Sequence, residues 1–198
     1  MRRAIFIDKD GTLIRNVPYN VDPALIELEE NAAEALAMLK SFDYLIIVIS
    51  NQSGVAHGYF KETDLENVKD RIQVLLDVND IIIDAFYFCP HHPEGRETPY
   101  STLCDCRKPQ PGMILRAAVN HNIDLSQSWM IGDILHDVEA GNKSGCKTIL
   151  INNGNETEWV LNESRWPTYI VQNLLEAAMI ILQPEKIIQR KYELPQRN

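Results

Sequence analysis

Two carboxylates lie close together near the amino terminus, at the end of a short apolar stretch. Residues 4–7 are continuously apolar, Asp8 and Asp10 come next, and Gly11 can turn the chain sharply. Such a stretch is typical of a strand buried on both faces of a parallel sheet. Side chains two residues apart in extended chain point the same way, so both carboxylates can reach one small volume. Because they repel each other there, the pattern predicts a cation beside them.

Three kinds of site compete for this stretch. Asp and Gly favour turns, so a polar turn after a strand is the plainest interpretation. A calcium loop of the EF-hand type starting at Asp8 would need glycine at its sixth position, where Leu13 stands, and a helix before it. That alternative fails. The remaining hypothesis is a metal-assisted phosphoryl or acyl transfer site, in which one carboxylate attacks and the other handles a proton.

Residues 8–12, Asp-Lys-Asp-Gly-Thr, resemble the first motif of the haloacid dehalogenase (HAD) superfamily of phosphatases. Further motifs of that family follow in order at residues 50–54 (Ser-Asn-Gln-Ser-Gly), 107–109 (Arg-Lys-Pro) and 132–133 (Gly-Asp), with Asp137 four residues later. Residues 89–95 and 104–109 narrow the resemblance to the D-glycero-D-manno-heptose 1,7-bisphosphate 7-phosphatases and the related histidinol phosphatases. The resemblance covers residues 4–151.

The resemblance implies a division of labour between the two carboxylates. Asp8 would be the nucleophile that forms an aspartyl phosphate, and Asp10 would protonate the leaving oxygen and then activate water. A catalytic Mg²⁺ would be held by Asp8, the backbone carbonyl of Asp10, and Asp133. Such a cation would keep Asp8 ionised, while Asp10 can remain protonated.

The resemblance also implies the groups that hold the phosphate. The expected residues are Ser50, Asn51, Arg107 and Lys108. Ser50, with Asn51 beside it, and Lys108 would bind the nonbridging oxygens as charge redistributes in the transition state. Arg107 is expected to contact the substrate or its own loop.

A cluster of metal-binding residue types lies in a loop that is rich in proline and poor in apolar residues. Its members are Cys89, His91, Cys104 and Cys106. Three thiolates and an imidazole form a closed tetrahedral set, which is typical of structural zinc. Zinc binding could order such a loop; a loop without metal is the alternative. His92 competes with His91 as the ligand, although His91 shares a side with Cys89 in extended chain and matches the family. Cys146 has no such neighbours and is expected to be a buried free thiol.

Apolar periodicity predicts the elements that position these residues. Strands are expected at residues 44–49, 85–89, from 129, at 147–151, and at an edge over 169–171. A helix from residue 30 would bury Ala32, Ala35, Leu36 and Leu39. Thr63 and Glu66 resemble a capping box at the start of a second helix. A third helix begins near Pro111, and a last one covers residues 174–182.

Strands that alternate with helices predict an α/β fold with a doubly wound, mostly parallel sheet and helices on both faces. The site residues would then lie beyond the carboxyl ends of the strands. About thirty residues separate the first two motifs, which leaves no room for a cap domain. We expect residues 1–183 to form one phosphatase domain and residues 184–198 to be a frayed or surface-packed tail.

Composition limits the partners. The chain has 198 residues, 45% of them hydrophobic, and a formal net charge of −9. An acidic balance disfavours binding along a nucleic-acid backbone and opposes a DNA-end phosphatase. No stretch is long enough to span a membrane and none resembles a signal peptide, so a cytoplasmic monomer is expected. A catalytically inactive sugar-phosphate-binding module is the remaining rival to an enzyme.

The expected substrate is a small sugar bisphosphate, with D-glycero-D-manno-heptose 1,7-bisphosphate as the first candidate and histidinol phosphate as the second. A bisphosphate offers a remote anion for Arg107. Four positions depart from the family pattern: Ser50 replaces Thr, Lys9 and His57 replace Arg, and Ile134 replaces Lys or Arg. Two cations near the site are therefore missing, which bears on specificity more than on mechanism.

Overall fold

The structure is a computed structural model that describes residues 1–183. The expected tail, residues 184–198, lies outside the described residues. Six strands form one sheet with the order β3-β2-β1-β4-β5-β6, and every adjacent pair is parallel. The strands are β1 (Arg3–Ile7), β2 (Tyr44–Asn51), β3 (Ala85–Cys89), β4 (Trp129–Gly132), β5 (Lys147–Ile151) and β6 (Tyr169–Val171). The predicted parallel sheet is therefore confirmed.

Five helices cover the two faces of the sheet: α1 (Ala32–Ser41), α2 (Asp64–Asp77), α3 (Gly112–His121), α4 (Leu135–Ser144) and α5 (Leu174–Leu182). Strand β1 shows how the faces are divided, because successive side chains alternate. Ile5 and Ile7 pack in the core formed with α1, α2 and α5. Ala4 and Phe6 pack in the second core, to which α3 and Ala140 of α4 contribute. The doubly wound architecture follows from this alternation.

The apolar pattern located most elements to within two residues. Strand β2 continues to Asn51, two residues beyond the predicted end, and so carries part of the second motif within regular structure. The predicted capping box of α2 is wrong. Thr63 has helical backbone angles and its side chain makes no capping bond. Asp64 instead accepts a hydrogen bond from the Lys61 amide at 2.8 Å, so a carboxylate stabilises this helix start.

The intervals between the motifs are short. Between β1 and β2 the chain forms a loop, a 3₁₀ turn at Pro23–Leu25 and helix α1. Over residues 1–183 no cap domain is present, as expected. None of the helices in that part of the chain combines the length and apolar character that a membrane crossing requires.

Candidate active site and metal centres

The site lies where the central strands end. β1 is flanked by β2 and β4. Asp8 follows the end of β1, Asp133 follows the end of β4, and Ser50 is the next-to-last residue of β2. Parallel strands present their carboxyl ends at one edge, where ligands of open α/β sheets bind. Three motifs that are distant in sequence thus meet at one edge of the sheet.

Lys108 supplies a buried cation to this edge. Its ammonium contacts a carboxylate oxygen of Asp8 and lies 2.6 Å from Oδ1 of Asp137. It also donates to the carbonyl oxygen of Ile49 at 2.9 Å. Burial disfavours the charged ammonium, but the carboxylates of Asp137 and Asp8 outweigh this and raise the pKa of Lys108. Lys108 therefore stays charged beside Asp8.

Asn51 fixes the backbone that carries Lys108. Its Nδ2 donates to the Lys108 carbonyl at 3.0 Å, and its Oδ1 accepts from the Lys108 amide at 3.0 Å. This pair of bonds ties the end of β2 to the third motif. The Asn51 side chain is consequently occupied in holding Lys108.

Three buried carboxylates lie close together at this edge. One oxygen from each of Asp8, Asp133 and Asp137 lies within 4.8 Å of the others. Burial raises the pKa of Asp8; the nearby Asp137 carboxylate adds to this rise, and the Lys108 charge opposes it. Burial and the Asp137 carboxylate also raise the pKa of Asp133, to about 6. Hard divalent cations prefer oxygen ligands. Three buried carboxylates against one ammonium therefore fit a Mg²⁺ site.

Two glycines permit this close approach. A Cβ on Gly132 would lie 2.2 Å from Oδ2 of Asp137, and a Cβ on Gly11 would lie 2.2 Å from Oδ2 of Asp133. Gly11 also has a φ of +85°, which favours glycine. Asn155 completes the arrangement by donating to Oδ2 of Asp133 at 2.7 Å. The turn after β1 and the turn after β4 thus pack directly against each other.

Asp10 is held differently from Asp8. Its Oδ1 is 2.6 Å from the ammonium of Lys9, and its Oδ2 accepts from Nε2 of Gln52 at 3.1 Å. The Asp10 side chain is 33% exposed, whereas Asp8 is buried. A carboxyl group that is anchored yet open to solvent suits proton exchange with a leaving group or water.

The cysteine cluster has the geometry of a closed metal site. The ligand atoms of Cys89, His91, Cys104 and Cys106 lie within 4.8 Å of one another. Sulfur separations run from 3.0 to 3.5 Å, and Nδ1 of His91 lies 3.4 Å from Sγ of Cys106. Tetrahedral ligands about 2.3 Å from zinc would be about 3.7 Å apart. The hydrogen bond between Cys106 and Cys89 lowers the pKa of Cys106 to about 5, which favours a thiolate. These residues fit zinc.

His92, the alternative to His91 as a ligand of the cysteine cluster, packs against other rings. The His92 ring lies 4.8 Å from the ring of His57, which in turn lies 5.6 Å from the ring of Tyr59. Tyr19 contacts the Tyr59 ring at 4.7 Å. We call these four rings the aromatic wall. Arg107 donates to the carbonyl of His91 at 3.3 Å, so its guanidinium is anchored to the cysteine loop.

Comparison with known proteins places the chain in a family. A model described as HAD-hydrolase-like matches residues 105–177. The D-glycero-beta-D-manno-heptose-1,7-bisphosphate 7-phosphatase of Salmonella typhi is 36% identical, over 80% of this chain and 89% of that protein. The Pasteurella multocida protein of the same name is 39% identical, over 78% and 84%. The protein belongs to the HAD superfamily of phosphatases.

A solved structure supports the same conclusion for this HAD phosphatase. The D,D-heptose 1,7-bisphosphate phosphatase from B. bronchiseptica, complexed with magnesium and phosphate, superimposes with a TM-score of 0.77. It is 28% identical, over 92% of this chain and 99% of that one. The fold is shared over nearly the whole of both chains.

The sequence motifs missed several residues of the HAD phosphatase site. Asp137 was noticed only for its spacing, yet it is fully buried and pairs with Lys108. Gln52 and Asn155 bind Asp10 and Asp133. Gln52 lies inside a motif and could have been suspected there. Asn155 lies beyond the last motif, in a segment with no sequence signal for the site. Cys146 is a buried free thiol, as expected.

The raised pKa of Asp133 predicts how stability depends on pH without magnesium. Its carboxyl is protonated in the folded protein between its ordinary pKa of 3.8 and about 6, where the unfolded chain is ionised. Stability should therefore fall as pH rises through this window, by up to roughly 3 kcal/mol. Melting temperatures measured in magnesium-free buffer from pH 4 to pH 7 check this.

Asp133→Asn should make the stability of the magnesium-free protein depend less on pH, because the amide does not ionise. For the same reason it should weaken the stabilisation that Mg²⁺ gives at pH 7. Asp43→Asn, at an exposed position, is the matched control. An Asp133→Asn protein with the same pH profile and the same magnesium increment as the unaltered one would contradict the assignment of this shift.

Proposed function

We propose that the protein hydrolyses the C7 phosphate of D-glycero-D-manno-heptose 1,7-bisphosphate through an aspartyl-phosphate intermediate on Asp8. The observation that carries the proposal is the contact between the Asp8 carboxylate and Lys108, beside Asp133, in a chain 36–39% identical to heptose bisphosphate phosphatases. A nucleophile, a phosphate-binding cation and a metal-binding carboxylate are thus assembled in one place. We further propose that residues 1–183 act as one phosphatase domain.

In the first half-reaction an oxygen of Asp8 attacks phosphorus, and the bond from phosphorus to the sugar oxygen breaks. Asp10 gives its proton to that sugar oxygen, which leaves as an alcohol. Lys108 and the hydroxyl of Ser50 bind the oxygens of the transferring group, since charge there must be stabilised in the transition state. Asn51 keeps Lys108 in position through its two backbone bonds.

In the second half-reaction Asp10, now ionised, takes a proton from water as the water oxygen attacks phosphorus. The bond between phosphorus and Asp8 breaks, which restores the Asp8 carboxylate and releases inorganic phosphate. The partial exposure of Asp10 supports this role, because water must reach it. The burial of Asp8 limits access of other acceptors to the intermediate.

Asp8, the backbone carbonyl of Asp10, and Asp133 would hold the catalytic Mg²⁺, with Asp137 beside them. When bound, the cation supplies charge that offsets repulsion between the phosphate and these carboxylates. Asn155 orients Asp133 through its bond at 2.7 Å. The Lys108 ammonium contacts both Asp8 and Asp137, so it neutralises part of the negative charge of these carboxylates before substrate binds.

Cys89, His91, Cys104 and Cys106 would bind a structural zinc ion. Cys106 immediately precedes Arg107 and Lys108, so ordering the loop fixes the position of both cations. Arg107 is also held through the His91 carbonyl. The proposed zinc therefore acts on chemistry only indirectly, by holding the phosphate-binding residues.

Substrate selection falls to Arg107 and the aromatic wall. A guanidinium suits a second phosphate, and remote binding energy can orient the reacting group. Histidinol phosphate, the second candidate, has no second phosphate and would need acidic partners for its amine. Burial lowers the pKa of Arg107, but the group remains a cation because arginine cannot be deprotonated in proteins.

Asp8→Asn should abolish phosphatase activity and leave the fold intact, because the amide fills the same volume but cannot attack phosphorus. Phosphate release and thermal melting are compared with those of the unaltered protein and of the exposed-site control Asp43→Asn. Retention of more than about a tenth of the rate, a barrier change below roughly 1.4 kcal/mol, would rule out Asp8 as the nucleophile.

Cys106→Ser should lose the zinc and lower kcat/KM by about a hundredfold, since a small displacement of Arg107 and Lys108 misplaces the phosphate. Metal analysis after extensive dialysis measures the first effect, and steady-state kinetics measures the second. Cys146→Ser is the matched control, because Cys146 lies outside the cluster. It should keep one zinc per chain. Full zinc content in Cys106→Ser would show that the cluster is not the site.

The substrate is tested by kcat/KM for D-glycero-D-manno-heptose 1,7-bisphosphate and for histidinol phosphate, at saturating magnesium and with the zinc site filled. We expect a preference for the bisphosphate of at least about tenfold, or 1.4 kcal/mol. Arg107→Met should reduce this preference by raising KM for the bisphosphate, whereas the exposed Arg116→Met should not. A preference for histidinol phosphate would defeat the heptose proposal and leave the phosphatase chemistry intact.

A further inference from the structure

Gln52 connects the two halves of the catalytic apparatus. Its side-chain Nε2 donates to Oδ2 of Asp10 at 3.1 Å and to Oγ of Ser50 at 2.7 Å. Gln52 is only 6% exposed, so these bonds lie away from competing water. One amide group thus contacts both the proposed proton-transferring carboxylate and the proposed phosphate-binding hydroxyl.

Two backbone hydrogen bonds hold Gln52 in place. Its N–H donates to the carbonyl of Cys89 at 2.8 Å, at the end of β3, and its carbonyl accepts from the Val55 amide at 3.2 Å. Neither bond involves the side chain. A substitution that changes only the side-chain amide therefore leaves this part of the loop tied to the sheet.

The bond to Ser50 determines what the hydroxyl can do. A hydroxyl has one proton to donate and two lone pairs that accept. Because Gln52 donates into one lone pair, the proton of Ser50 can be directed at an anion. Removal of the Gln52 donor would free the hydroxyl to turn.

The bond to Asp10 acts together with Lys9. Lys9 holds Oδ1 and Gln52 holds Oδ2, so the carboxyl plane is fixed from both sides. Each carboxyl oxygen has two lone-pair positions. Gln52 can occupy one position on Oδ2 and leave the other for the proton that is transferred. Loss of the Gln52 bond would leave Asp10 anchored by Lys9 alone.

We propose that Gln52 is a positioning residue that sets the orientation of Asp10 for proton transfer and of the Ser50 hydroxyl for phosphate binding. The inference rests on the proposed roles of Asp10 and Ser50, and it assigns Gln52 no direct chemistry. A bond made only to stabilise the fold would affect all substrates alike. A bond that orients Asp10 matters most when the leaving oxygen needs a proton.

Gln52→Met tests this, because it keeps the volume and removes the donor. The variant is assayed with p-nitrophenyl phosphate, whose phenolate leaves without a proton, and with whichever sugar phosphate the unaltered protein hydrolyses best. We expect kcat/KM for the sugar phosphate to fall about 10- to 100-fold. The fall for p-nitrophenyl phosphate should be at least about fivefold smaller, since only the sugar alkoxide depends on the Asp10 proton.

Three further variants make the result decisive. Ser50→Ala should lower kcat/KM for both substrates by a similar factor, because the phosphoryl group is the same in both. Gln172→Met makes the same chemical change at an exposed position and should leave both rates unchanged. Gln52→Leu also removes the donor and adds no charge beside Asp10, so it supplies the same test if Gln52→Met unfolds early in thermal melting.

An unchanged ratio of the two kcat/KM values in a folded Gln52 variant would overturn the role in orienting Asp10. Unchanged kcat/KM values for both substrates would overturn the role in orienting Ser50 as well. Absence of sugar-phosphate hydrolysis by the unaltered protein across a metabolite panel would instead count against the proposed function. The two failures are therefore separate outcomes of one set of assays.

Discussion

The buried ammonium of Lys108 between Asp8 and Asp137 is the interaction on which the site depends. Charges removed from water cost several kcal/mol each unless they are paired with good geometry. Lys108 is 100 residues from Asp8 along the chain, yet the two groups are buried in contact with each other. Loss of Lys108 would leave both carboxylates without their cation, and breaking a buried ion pair in this way typically costs about 3–5 kcal/mol. The third motif must therefore close over the end of β1.

This pairing leaves a surplus of negative charge. Asp8, Asp133 and Asp137 carry three carboxylates against one ammonium, and burial raises the pKa of both Asp8 and Asp133. Gly11 and Gly132 admit these side chains where a Cβ would collide with them. The backbone thus forces together groups that repel each other. An arrangement of this kind is less stable by itself than with a cation, which is the usual compromise at a catalytic site.

The cysteine loop reaches both sides of the same edge. At one end it leads into Arg107 and Lys108, and in the middle the Arg96 and Glu97 amides donate to the carbonyl of Ala56 at 2.7 and 2.9 Å. Gly95 packs so closely that a Cβ there would lie 2.8 Å from the Cβ of Ala56. The loop therefore supports the segment that carries His57 as well as the cations. A metal that orders this loop would order both of these segments.

The sequence by itself determined the elements and the chemistry of the motifs. Continuous apolar runs predicted five strands after the first, and helical spacing identified the buried face of α1, because periodicity depends only on which side meets the core. It also predicted that Asp8, Ser50, Lys108 and Asp133 would meet at the strand ends. The capping box at Thr63 failed because cap geometry depends on backbone angles that the pattern does not specify.

Only the tertiary structure decided which atoms bind each other. The Asn51 side chain holds the Lys108 backbone, Asp137 pairs with the Lys108 ammonium, and Gln52 joins Asp10 to Ser50. A hydrogen bond requires donor and acceptor within about 3.2 Å and correctly aimed. Residue type and spacing cannot supply that accuracy for side chains on different elements. The closeness of these contacts is fixed by how the strands and their loops pack around β1.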